Sequence, residues 1–328
     1  MGMRGKLQTK IEYYAVRSVL GAIGLFPIPA SMKIGEAFAK SSSRLLKRLH
    51  FVGFRNLELA LPELSHGEHR EILKGSFESL GRQLGIASHF ARLTPERLRE
   101  TVDVEGLEFL EEAQAAKRGV ILVSGHFGGW ELSISAFHAF GYDWSVLVRR
   151  IDNPLVEEFV ENLRTRLGSQ TIDKKTSARG MYRLLQKGER LGILADLNSQ
   201  EREGVFVDFF GIPASTATGL ARLALRTNST VLPFFTIWQK EKKRYLLKVC
   251  PPLEIPEGVD TEDNVRILTQ IVTSKIEEYV RRYPEQWMWI HKRWNTRPAG
   301  EPNLYTKDFT VQSPKSEIPR QTKVESQT

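Results

Sequence analysis

From Thr94-Pro95 onward, short apolar runs alternate with helical patterns, and this alternation limits the fold more than any other feature of the chain. The expected strands are Val120–Val123, Trp144–Val148, Leu191–Ala195, Val231–Ile237 and Tyr245–Val249. Helices are expected between and after them: Gly129–Phe140, Pro154–Leu167, Ser177–Lys187, Ser215–Thr227 and Thr261–Tyr283. The helix at Pro154 has a strong start, Asp152-Asn153-Pro154, and a stop at Gly168. Continuous apolar strands separated by helices predict an α/β fold whose sheet is covered on both faces. The chain has 328 residues, 41% of them hydrophobic, which suffices for a sizeable core.

Upstream, Gly35–Leu49 reads as a short basic helix and His66–Phe90 as a longer one. The uncharged run Ser18–Met32 holds 15 residues and includes Pro27 and Pro29. A spanning helix needs about 20 apolar residues, so the run is short for that. Two readings remain open for it: a buried amphipathic helix, or an anchor lying in a membrane interface with Tyr13 and Tyr14 at headgroup level. Basic residues outnumber acidic ones 47 to 39, a net charge of +8, which points to an anionic partner. From Phe309 on, the chain is rich in Ser, Thr, Gln, Lys and Pro and reads as a disordered tail. The organisation expected is therefore an N-terminal segment at 1–30, for which both readings stand, one folded unit at 31–308, and the tail at 309–328. The single cysteine, Cys250, excludes an internal disulfide and a multi-thiolate metal site, and its place beside a strand marks it as core.

The stretch Gly125-His126-Phe127-Gly128-Gly129-Trp130-Glu131 follows the first apolar run. His126 thus falls at a strand's carboxyl end, where open α/β sheets bind ligands. On one continuous helix, residues five apart lie about 140° apart and do not meet. His126 should therefore precede the helix, with Glu131 in its first turn and the two glycines making the bend. The helix dipole there favours Glu131 and should help keep His126 neutral, as a general base requires. Glu131 would then hold one ring nitrogen, as the carboxylate does in a catalytic triad. The competing reading is a buried histidine satisfying a loop carbonyl, with Glu131 as a helix-start charge. Ser124 should point away from Gly125's side, and no serine or cysteine nucleophile is evident, so a substrate hydroxyl would have to attack.

Five segments settle the context. VSGHFGGWELS closely resembles the H-x4-D/E motif of the bacterial lipid A biosynthesis acyltransferases. LVRRIDNPLVEEF, RGMYRLLQKGERLGILADLN, VFVDFFGIPASTATG and YPEQWMWIHKRWNTRP are similar to further segments of that family, in order, between about Asp103 and Tyr305. The resemblance implies a mixed, mainly parallel α/β sheet flanked by helices, like that of glycerolipid acyltransferases, with an N-terminal membrane-associated helix. It implies transfer of a fatty acyl chain from acyl carrier protein to a hydroxyl of a lipid A precursor at the cytoplasmic face of the inner membrane, without metal or organic cofactor. His126 is then the base and Glu131 its polarising carboxylate. Arg149, three residues before Asp152, would bind a phosphate or the thioester region, and Asp196 would position substrate, with a helix cap as the rival role. Asn198 departs from the commoner acidic residue or glutamine, which bears on acceptor contacts.

Phe206, Phe209 and Phe210 are either an acyl channel or plain core. Trp287, Ile290 and Trp294 share helical spacing, so this aromatic and basic run reads as packing, with His291 structural, rather than as a single-strand nucleic-acid site. Candidates for a patch facing the acidic carrier protein are Arg44, Lys47, Arg48 and Lys174-Lys175 beside Arg179. Two other functions stay open on the residues: the same chemistry on another glycolipid such as a phosphatidylinositol mannoside, and a non-catalytic basic protein of membrane surfaces or nucleic acids.

Overall fold

The computed structural model describes residues 5–43, 45–173, 178–256 and 260–306. The expected tail at 309–328, and with it Arg44, Lys174 and Lys175, lies outside the described residues. Helices α1 (Lys6–Ile23) and α2 (Ile28–Ser43) open the chain, followed by α3 (Lys47–Ala60) and α4 (His66–Ala87). Then come α5 (Pro95–Thr101), β1 (Val102–Glu105), α6 (Glu108–Ala115), β2 (Val120–Ser124), α7 (Trp130–Ala139) and β3 (Ser145–Val148). The middle holds α8 (Pro154–Thr165), β4 (Gln170–Asp173), α9 (Ala178–Gln186), β5 (Arg190–Leu194), β6 (Gly204–Phe209) and β7 (Ile212–Ala217). The last elements are α10 (Gly219–Thr227), β8 (Thr230–Gln239), β9 (Arg244–Val249) and α11 (Glu262–Arg282).

Seven strands form one sheet in the order β1-β9-β8-β2-β5-β3-β4, and β6 and β7 form a separate antiparallel hairpin. All pairings in the large sheet are parallel except β8 with β9. The sheet is thus mixed and mainly parallel, as expected. Its central strand β2 is buried at all five positions. The period of two divides its side chains between two cores. Ile121 and Val123 join Leu191, Ile193, Phe235 and the helices α9 to α11 on one face. Val120 and Leu122 join Leu232, Phe234 and Phe137 of α7 on the other.

Local chemistry sets the helix starts. Asn153 Oδ1 accepts from the amides of Leu155 and Val156 ahead of Pro154, so the expected start of α8 holds, with Asn153 as the cap. The same side chain donates from Nδ2 to Glu12 Oε2 at 2.8 Å and to Thr9 O at 3.0 Å, which ties α1 to the head of α8. Ser65 and Glu68 make a reciprocal capping box at α4.

Three expectations are corrected. The basic helix expected at Gly35–Leu49 is two helices, α2 and α3, broken after Ser43. The helix expected from Ser215 begins at Gly219, because Ser215 and Thr216 pair with Phe206 and Val205 in the β6–β7 hairpin. The segment around Trp287, Ile290 and Trp294 is a chain of turns rather than a helix, although Trp287 and Trp294 are fully buried as packing required. The proline-containing run Ser18–Met32 is split between α1 and α2, since proline lacks the amide an inner helical turn needs. No helix among the described residues is long and apolar enough to cross a membrane.

Candidate active site

Strand order and register build the site. Ser124 of β2 is paired with Leu194 of the adjacent parallel β5. Two residues further, both chains pass the carboxyl edge of the sheet, which sets His126 beside Asp196. The His126 amide donates to Asp196 Oδ2 at 2.7 Å, and Nδ1 meets Asp196 Oδ1 at 2.8 Å. The indole Nε1–H of Trp287 donates to Asp196 Oδ2 at 2.8 Å. Three bonds therefore fix a carboxylate that is 2% exposed. They fix the tautomer too: with Nδ1–H facing the carboxylate, Nε2 is left as the basic nitrogen. Among the described residues no hydrogen bond engages Nε2, and the imidazole remains 19% exposed.

The loop that carries His126 needs its glycines. Gly128 has φ +54°, and a Cβ there would lie 1.9 Å from Thr236 O of β8. The amides of Gly128 and Gly129 instead donate to Gln286 O and Thr236 O, both at 2.8 Å. His126 O accepts from the Met288 amide at 3.1 Å, so the C-terminal turns clamp the loop from outside. The Trp130 ring lies edge-on to the imidazole with centroids 5.4 Å apart.

Glu131 occupies the first turn of α7, as expected, but its carboxylate faces elsewhere. Arg164 of α8 binds it in a fork, Nε to Oε2 at 3.0 Å and Nη2 to Oε1 at 2.5 Å. The ring nitrogen expected for Glu131 is held by Asp196. Glu131 acts on the imidazole through its charge alone.

These charges decide protonation. Burial favours the neutral imidazole, but the charge and hydrogen bond of Asp196 outweigh it, with Glu131's charge adding to them, so His126 is raised above its ordinary 6.5. The helix dipole is expected to favour the neutral ring, and the contacting carboxylate acts in the opposite direction. Burial alone would raise Asp196, yet the His126 charge and the hydrogen bonds it receives hold it down at about 2. Burial lowers His291 to about 4, and its Nε2 accepts the Asn198 amide at 3.0 Å, the structural role expected of it.

The family-model description "Bacterial lipid A biosynthesis acyltransferase" matches residues 4–296. The chain is 33% identical over 289 residues to the lipid A biosynthesis lauroyltransferase of Escherichia coli (strain K12), covering 88% of this chain and 92% of that one. It is 30% identical over 299 residues to the palmitoleoyltransferase of the same strain, covering 90% and 95%. It is 25% identical to the myristoyltransferase, covering 88% of each chain. The chain belongs to the bacterial lipid A biosynthesis acyltransferase family.

Within this acyltransferase, the structure brings His126, Asp196, Glu131 and Arg164 to one edge of the sheet but leaves Arg149 apart from their contacts. Arg149 is exposed just beyond β3, with no ion pair recorded among the described residues, while its neighbour Arg150 pairs with Asp173. Asn198 bonds Thr296 and Ser199, a bracing role within the chain. Phe209 and Phe210 are buried against Trp287, Trp294 and Trp289, so these two are core, and Phe206 is half-buried. Arg293 is wholly buried, donating to Ser215 O at 2.9 Å and Thr216 Oγ1 at 2.5 Å, and burial lowers it to about 10. The sequence reading missed Arg164 and the indole of Trp287. Arg164 is one charge among several on α8, and only its ion pair with Glu131 of α7 singles it out. The signal for Trp287 was present in its aromatic segment but pointed to packing, which it also serves. Among the described residues no cluster of histidines, cysteines and carboxylates is placed to hold a metal.

Proposed function

We propose that this acyltransferase moves a fatty acyl chain from the thioester of acyl carrier protein to a hydroxyl of a lipid A precursor. The observation that carries the reading is the His126–Asp196 pair, which leaves a basic nitrogen with no protein partner at the sheet edge. Nε2 takes the proton of the acceptor hydroxyl as its oxygen attacks the thioester carbonyl. The tetrahedral adduct collapses, the C–S bond breaks, and the imidazolium returns the proton to the departing thiolate. Asp196 orients the ring and stabilises the imidazolium. Glu131 supports the same charge from α7 and holds the Arg164 guanidinium beside the site. Arg149, without an ion pair among the described residues at the end of β3, contacts a phosphate of the acceptor or the donor's prosthetic group.

The acceptor is a membrane lipid, and the surface supports that placement. Among the described residues, twelve large apolar side chains are exposed, and nine of them lie between Leu7 and Leu46. Leu7, Ile11 and Tyr14 share one face of α1, with Lys6, Lys10 and Arg17 to its side. Such a helix lies in the interface of the inner membrane's cytoplasmic leaflet, with residues 1–30 as the anchoring segment of the catalytic unit. The nine side chains favour this over the buried reading of the N-terminus.

Purified protein incubated with acyl carrier thioester and lipid A precursor tests the proposal. The acceptor should gain the mass of one acyl ester, and carrier protein should be released with a free thiol. An acceptor of unchanged mass, with the thioester intact, would remove the reading.

A further inference from the structure

The broader of the two grooves described is lined by none of the four residues of the site. It opens between the end of α2 and the first halves of α3 and α4, and holds about 930 Å³, within the range of ligand sites. Its rim is cationic: Lys40, Lys47, Arg70 and Lys74 face it, with Glu71 as the acidic residue among its lining. Glu71 is taken up by Lys74 at 2.7 Å, while no ion pair is recorded for Lys40, Lys47 or Arg70 among the described residues. Its interior is apolar, formed by Phe51, Phe54, Leu73 and Phe77. His50, Phe54 and His66 stack in a row along it, with centroids 6.5 and 5.5 Å apart. Three side chains that water should not leave bare stand near the same helix ends: Phe38 at 51%, Leu45 at 84% and Leu46 at 43% exposure.

We propose that this groove binds an anionic phospholipid of the bilayer, in addition to the acceptor that reacts at His126. The phosphate sits among Lys40, Lys47 and Arg70, none of which is tied up in an ion pair among the described residues; Arg70 Nε donates to His66 O at 3.2 Å, which leaves its Nη groups for the phosphate. An acyl chain enters against the aromatic row and reaches Leu73 and Phe77, removing apolar surface from water. Leu45 and Leu46, just before α3, enter the bilayer beside the mouth, so the lipid need not leave its leaflet to bind. An acidic protein would satisfy the rim but leave the apolar interior unfilled, which is why the groove fits a lipid better than a carrier protein. The bound lipid would hold α2, α3 and α4 together at the membrane. α4 reaches the active site through Ser76, whose hydroxyl donates to Trp287 O at 2.6 Å.

His50 and His66 are the reporters. Full-length protein with isotope-labelled imidazoles is titrated with dihexanoyl phosphatidylglycerol, dihexanoyl phosphatidylcholine, inorganic phosphate and an acidic acyl carrier protein, each alone. Phosphatidylglycerol should move both ring signals at the lowest concentration. Lys40→Glu with Arg70→Glu should weaken that response about tenfold or more, since each basic side chain near an anionic surface contributes on the order of one factor of five to ten. Both residues are exposed, so the fold should survive, and an unchanged thermal transition checks it. Lys40→Gln with Arg70→Gln should act in the same direction with a smaller effect. The proposal fails if phosphatidylglycerol leaves both signals in place, if inorganic phosphate matches it, or if phosphatidylcholine does. It also fails if the carrier protein alone moves them, which would assign the groove to that partner. None of these readings depends on acyl transfer, so the result stands apart from the activity assay.

Discussion

At the scale of single residues, the proposed mechanism makes a histidine at a sheet edge a base because of what is fixed behind it. Asp196 receives three hydrogen bonds and is held near a pKa of about 2, so it stays charged at any working pH. The raised His126 must lose its proton to act, so transfer should rise with pH through a value above 6.5. Asp196→Asn removes the charge that raises it, leaving burial to lower it. The acid limb of the rate profile should then move to lower pH, and the plateau should fall about 10²- to 10⁴-fold as the ring loses its orientation. An acid limb that does not move in Asp196→Asn would mean that some other group sets it. Stability follows the opposite sign rule for the two partners. The Asp196 contribution is present above its ordinary 3.8 and is lost as pH falls toward about 2, whereas that of His126 is lost as pH rises through its raised value. Glu131 and Arg164 form the second couple. Glu131→Gln, Arg164→Gln and the double variant should show a coupling of about 0.5–3 kcal/mol in transfer rate, because either change strands the other's charge. Additive effects would mean that the two act separately.

At the scale of elements, what was legible followed from how much of the chemistry was local. β2, β3, β5, β8 and β9 were evident because parallel strands buried on both faces are continuous apolar runs. The hairpin β6–β7 and the short strands β1 and β4 were not, since their half-exposed, polar residues give no such run. The break between α2 and α3 carries neither proline nor glycine and was unreadable for that reason. His126 and Asp196 were each recognisable at a strand end, but their pairing depends on β2 and β5 being neighbours, which no local pattern states. The glycine turn was legible as a bend, and the structure adds why it tolerates nothing larger. Gly128→Ala places a Cβ against Thr236 O in a left-handed backbone, so it should cost about 2 kcal/mol or more, read as a lowered Tm with loss of transfer. A Gly128→Ala protein with unchanged Tm and activity would show that the loop relaxes freely.

At the scale of the whole molecule, the proposed function requires the reactive edge to meet a bilayer-embedded acceptor and a soluble acidic donor. Leu7→Glu with Ile11→Glu should release the protein from anionic vesicles in a flotation assay while leaving the thermal transition in place, because both side chains face outward at 73% and 59% exposure. Retained flotation would move the membrane contact elsewhere. On the proposed function, the exposed Arg48 and Arg179 are available to steer the carrier protein, an interaction that salt should weaken as the Debye length shrinks from about 10 Å at 0.1 M to about 3 Å at 1 M. On the proposed mechanism, all of this serves one proton transfer. The most direct measurement is therefore single-turnover acyl transfer by the full-length His126→Ala protein, with lipid A precursor in vesicles and acyl carrier thioester as donor, read by the acceptor's mass. The account predicts a rate reduced by about 10²-fold or more with the fold intact. Transfer at the wild-type rate would contradict it.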